Sequence, residues 1–147
     1  MVKLLVVLSL VWPITLTAAA TSRVSQASPA FAGIVYLAAS RVCHQRPDRS
    51  FRTAHVQWPV CARCSGLYLA APLGAVVAMA AVRRRRPAPS LVPWIVAAAI
   101  PTALTLALEW LHLAPISNAA RALAALPLGA MVAYGVVRMA GTFRQVG

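Results

Sequence analysis

All three cysteines of the chain, Cys43, Cys61 and Cys64, fall in one short stretch together with two of its three histidines, His44 and His55. Three chemistries fit these residue types. The first is a metal site. Two thiolates at Cys-x-x-Cys spacing grip one ion from a tight turn, and Cys43 with His44 or His55 completes a tetrahedron. Mixed sulfur and nitrogen ligands make zinc the default ion. His44 adjoins Cys43, so placing both on one ion needs a sharp turn, and His55 is sterically easier. The second is thiol–disulfide exchange, with Cys61-Cys64 as the reactive pair and Cys43 as a third, exchanging thiol. A helix starting beside Cys61, and Arg63 between the two cysteines, would both favour a thiolate. The third is a structural disulfide from Cys43 to Cys61 or Cys64, with one spare thiol. The spacing leaves all three open, and with them the question of whether the protein is an enzyme.

Charged residues around the cysteines suggest further chemistry. Arg41, Arg46, Arg49 and Arg52 recur every three to five residues. Such a series suits phosphate head groups or another anionic ligand, with the cysteines then structural. A solvated loop would look the same. Asp48 is placed to pair with Arg52 if the stretch is helical.

The elements that hold these residues are set by composition. The 147-residue chain is 61% hydrophobic and 11% charged, against about 25% charged for a soluble domain. Lipid is therefore the expected solvent, and the lipid bilayer the expected partner. A net charge of +12, with Asp48 and Glu109 as the sole acids, would ordinarily raise nucleic acid as a ligand. The apolar runs exclude that reading.

Residues 4–20 form an apolar run after Lys3, ending in Ala18-Ala19-Ala20, as in a signal peptide or an N-terminal membrane anchor. This divides the chain into residues 1–28, signal or anchor, and 29–147, a helical membrane domain. Within that domain residues 65–82, 91–111 and 119–140 read as spans, with Pro127 expected to kink the last. Residues 30–42 are apolar but only 13 long, and read as interfacial or partly inserted; were they to span along with residues 4–20, the cysteine face would flip to the inside. The fold class expected is all-α: an integral membrane helical bundle of three to four spans with a Cys-rich loop at one membrane face.

If each run crosses once, Arg83 to Arg86 lie on one face. The cysteine region and the turn at 111–118 then lie on the other. Glu109, His112, Ser117, Asn118 and Arg121 thereby join the cysteine face. A carboxylate near the end of an apolar span calls for a partner, and Arg121 is the nearest candidate. The dense arginine loop and Lys3 point to the cytoplasm, so the cysteine loop is expected outside the cytoplasmic membrane. Small residues at four-residue spacing, Ala70-Gly74-Ala78 and Ala125-Gly129-Ala133, suit close helix packing, within the chain or in a homo-oligomer.

The strings CHQRPDRSF at 43–51 and PVCARCSGLY at 59–68 resemble DUF2085, a family of small prokaryotic membrane proteins. Ser117-Asn118-Ala119-Ala120-Arg121 and Gly129 are similar to its later Ser-x-Asn-x-x-Arg and glycine, without the spacer between Ser and Asn. Glu109 stands near the family's aspartate, followed here by Trp110 in place of glycine. The resemblance spans about residues 30–140. It implies that the Cys-His and Cys-x-x-Cys elements act as one unit, and it implies no reaction.

Overall fold

The computed structural model describes residues 1–84 and 90–146. Arg85 and Arg86 of the arginine run lie outside them. In chain order the elements are α1 (Val2–Ser25), α2 (Pro29–Ser40), β1 (Ser50–Thr53), β2 (Val56–Cys61), α3 (Ala62–Arg83), α4 (Val92–Trp110) and α5 (Asn118–Val146). Among the described residues four helices are long and apolar enough to cross a membrane: α1, α3, α4, and α5 over Asn118–Gly141. Their outer faces carry exposed Leu69, Leu73, Trp94, Ile100, Leu104 and Leu123. Such a surface is stable against hydrocarbon and not against water.

The α3–α5 pair forms the centre of the bundle. A Cβ at Gly66 would overlap the carbonyl oxygen of Ala122, one at Gly74 that of Ala130, and one at Gly129 that of Leu67. Missing side chains let the two backbones touch, which supplies the contact area that lipid-solvated helices otherwise lack. Ala78 and Ala125 on the same stripes are fully buried. Both small-residue faces therefore pack on each other within one chain. Helix α4 joins by its contact with α5, where Thr102 Oγ1 donates to the Ala124 carbonyl at 2.8 Å.

Helix α1 is built into this bundle. Val2 and Val6 pack with Ala75, Ala78, Val137 and Ala140 at one end. Leu16 and Ala19 pack with Val35, Ala39, Cys43 and Val60 towards the other. Gln26, with φ 56°, ends α1 in a left-handed cap, and Pro29 opens α2 two residues after Ala27. Helix α2 has 12 residues, about 18 Å. It lies back along the second half of α1 and is shorter than the candidate spans.

The structure is the expected helical bundle, and its Cys-rich loop carries a small two-stranded sheet. A single 3-10 turn, Pro47–Arg49, leads into an antiparallel hairpin with Thr53 paired to Val56 and Ser50 to Cys61. Ala54 and His55 form its tip, with φ 45° and 68°, the two left-handed positions of a tight hairpin turn.

Candidate metal centre

Cys43, Cys61 and Cys64 reach one point from three directions. Cys43 follows α2, its N–H donating to the Ala39 carbonyl at 2.9 Å. Cys61 ends β2 and is the N-cap of α3, and Cys64 lies in the first turn of that helix. Helix α3 thus begins three residues before the apolar run at 65–82. The three sulfur atoms all lie within 4.8 Å of one another, and all three cysteines are free thiols. The Cys61 N–H donates to Cys43 Sγ at 3.2 Å, fixing the first motif on the second.

Hydrogen bonding with the Cys64 thiol holds the Cys61 thiol far below its ordinary range, to about 5. Backbone N–H groups of Cys64 and Arg63 and the Cys43 sulfur act in the same direction, and burial opposes them. Those N–H groups are the unpaired donors of the α3 N-terminus, so a thiolate there is stabilised by the start of the helix itself.

Beside the thiols lies a charged cluster centred on Glu109, whose side chain is 7% exposed. Arg63 Nη2 donates to Glu109 Oε2 at 2.9 Å and Arg121 Nε to Oε1. Arg49 Nη1 stands 3.8 Å from Oε2. Arg121 also donates to Asn118 Oδ1, and Asn118 Nδ2 donates to the Ser50 carbonyl at 3.1 Å. The turn after α4 positions the carboxylate. His112 N–H donates to the Glu109 carbonyl and Leu113 N–H to that of Leu108, with His112 at φ 53°, a Schellman ending. His112 is a helix terminator here.

A second network fixes the hairpin over the thiols. Gln45 Nε2 donates to the Tyr36 and Pro59 carbonyls, both at 2.8 Å. Gln57 Nε2 donates to the Gln45 carbonyl and to Ser50 Oγ, and Tyr36 OH to the Gln57 carbonyl. These polar residues carry no metal-ligand chemistry, so residue type alone does not mark them as part of the site.

Thiols and guanidinium groups share one cavity of about 310 Å³, lined by Cys43, Cys61 and Cys64 with Arg46, Arg49, Arg63 and Arg121. His44 lines it too. Among the described residues the close set of ligand atoms consists of the three thiols alone. His55, at the hairpin tip, lines a separate cavity with Arg23, Tyr36 and Gln45. Arg52 lines an apolar groove with Phe51 and Trp58, away from the thiols. Asp48 pairs with Arg46 at 3.3 Å and Arg49 at 3.5 Å, not with Arg52, because the chain there makes a 3-10 turn and then a strand. Tyr68 packs edge-on against Trp12, ring centres 6.0 Å apart.

No curated protein and no solved structure matches the chain. A family model does match, over residues 43–134, a span that starts at the first cysteine and takes in the thiol cluster, Glu109, Asn118 and Arg121. The chain therefore belongs to DUF2085, a family of predicted membrane proteins.

Proposed function

We propose that this membrane protein holds a thiophilic divalent cation, zinc in type, on Cys43, Cys61 and Cys64. The observation that carries the reading is the convergence of three free thiols within 4.8 Å from two sequence-distant motifs. A tetrahedral zinc with bonds of about 2.3 Å sets its sulfurs about 3.8 Å apart, so the cluster needs only a small contraction. The fourth position falls to His44 or to a ligand in the same cavity. Metal analysis of the reduced, chelator-free protein in detergent tests this. About one zinc per chain is expected, lost in Cys64→Ser; a metal-free wild type that also fails to take up added zinc would sink the reading.

We also infer that α1 is a retained anchor and that the cysteine face is extracytoplasmic. The packing of Val2, Val6, Leu16 and Ala19 into the bundle supports retention. Lys3, Arg83 and Arg84 at the opposite end support the orientation. The intact mass of the mature protein and labelling of its thiols in whole cells by a membrane-impermeant reagent check the two points. A mature protein lacking residues 1–20, or thiols reached only after lysis, would refute them.

A second reading is favoured by the depressed Cys61 thiol. In it the Cys61 thiolate attacks a partner's disulfide, giving a mixed disulfide and one partner thiolate. Attack by Cys64 then releases the second partner thiol and leaves a Cys61–Cys64 disulfide. Acid trapping of thiols in intact cells separates the readings. A cycling pair shows both oxidation states and traps a mixed disulfide in Cys64→Ser, whereas a metal site shows reduced thiols throughout.

A further inference from the structure

We propose that the cavity over the thiol cluster is also an oxyanion site, in which Arg46, Arg49, Arg63 and Arg121 receive a phosphate group. The four arginines come from three separate segments, the 3-10 turn region, the start of α3 and the start of α5, and converge on one cavity with the cysteines. Only two carboxylates, Asp48 and Glu109, pair with them. With Cys61 as a thiolate in the same cavity, one positive charge is left in excess around a space large enough for a small ligand.

Two guanidinium nitrogens of the cluster also lack a hydrogen bond among the described residues. Arg63 Nε is buried and has no hydrogen-bond partner among the described residues, although the Arg63 side chain is only 15% exposed. Arg49 Nε is likewise buried without a hydrogen bond, standing 3.5 Å from Asp48 Oδ2 without bonding geometry. A buried, unmated guanidinium N–H is costly, and the planar guanidinium groups that line the cavity match the oxygens of phosphate. Glu109 does not occupy the site in the ligand's place. It lies behind the arginines, absent from the cavity wall, and holds Arg63 and Arg121 by one edge. Their positions are thereby set before any ligand arrives, which lowers the ordering cost of binding.

This inference uses the same cavity as the metal reading but does not depend on the ion. A cation held by three thiolates would carry one net negative charge, which leaves the surroundings still positive. Free phosphate and the phosphate of a lipid head group share the chemistry, and the experiment separates them.

The full chain is held reduced and with chelator in maltoside micelles, which contain no phosphate, and dialysed to equilibrium against labelled inorganic phosphate. Saturable binding of one phosphate per chain is expected. Arg46→Gln and Arg49→Gln should each weaken it about tenfold, the usual effect of losing one charge-assisted hydrogen bond. Arg83→Gln, at the other end of the bundle, should leave it unchanged. Arg46 is 60% exposed, so its replacement leaves the fold intact and the comparison valid. Absence of saturable binding, or equal binding in all the variants, overturns the proposal. Repeating the measurement in bilayer discs with and without phosphatidylglycerol then identifies the source: competition by the lipid marks a head-group site, and its absence a soluble oxyanion. Zinc content read on parallel unchelated samples keeps the two readings apart. Protein that binds phosphate without zinc removes only the metal reading, and protein that binds zinc without phosphate removes only this one.

Discussion

Arg63, the residue between Cys61 and Cys64, donates from Nη2 to Glu109 Oε2 at 2.9 Å across 46 residues of sequence. The contact ties the start of α3 to the end of α4, and Arg121 extends the tie to the start of α5. Three helix ends therefore meet at one carboxylate directly beside the thiols. The arginine inside the Cys-x-x-Cys motif acts as a strut of the bundle, positioned by the same helical turn that presents the sulfurs.

Glu109→Gln keeps the shape of the side chain and removes its charge. Arg63 and Arg121, 15% and 13% exposed, then lose their counter-charge at a membrane-helix end. Breaking such a pair costs about 3 kcal/mol, so thermal unfolding in detergent should drop clearly. The double variant Glu109→Gln/Arg63→Gln should lose less than the sum of its two singles, because the groups share one interaction. Additive losses would show that the pair contributes no coupling.

How far this site can be read without coordinates depends on distance along the chain. Glu109 and Arg121 flank one short turn, so span order alone puts them together. Cys43, Cys61 and Cys64 share the face of that turn because no span lies between them and two candidate spans, α3 and α4, separate them from the turn at 111–118. Arg63 sits too far from Glu109 in sequence for its partner to be inferred, and its place between two cysteines suggests a different role. The hairpin is also hidden: β1 and β2 lack clean alternation, and Ala54-His55 is not a turn dipeptide of the usual Asn-Gly kind. Gln45, Ser50 and Gln57 show their function only once the backbone carbonyls they bind are placed.

The α3–α5 seam predicts opposite outcomes for two glycines. Gly74→Ala brings a methyl group onto the Ala130 carbonyl, and separating two packed backbones costs about 1–3 kcal/mol. Gly33 in α2 has nothing within 4 Å of a built Cβ, so Gly33→Ala should stabilise by about 0.5–1 kcal/mol through helix propensity alone. Melting curves of the two variants in one detergent make the comparison. Equal shifts would remove the close-packing account of the seam.

Left-handed residues give a third contrast. His112 at φ 53° and Ala54 at φ 45° occupy conformations that cost an L residue about 1–2 kcal/mol. His112→Gly and Ala54→Asn should therefore raise the melting temperature, each by relief of backbone strain. Because neither side chain reaches the thiols, zinc content should be unchanged in both. A loss of zinc on His112→Gly would instead place that imidazole in the metal site.

The Cys61 thiol supplies a pH dependence. A thiol is nucleophilic as its anion, and a pKa held at about 5 means the anion dominates at every pH above that value. In metal-free protein the alkylation rate of Cys61, followed by peptide mapping, should be level from neutral pH down to about 6. It should then fall about tenfold per unit as pH drops below about 5. An ordinary thiol would begin that fall near pH 8–9. Cys64→Ala removes the hydrogen bond that contributes most, so its inflection should move upward towards the ordinary range. If wild-type Cys61 already titrates there, neither its sulfur neighbours nor the α3 N-terminus activates it, and the exchange reading loses its support. If the wild-type inflection is low and Cys64→Ala leaves it in place, the helix start and the Cys43 sulfur suffice, and Cys64 has no part in poising its neighbour.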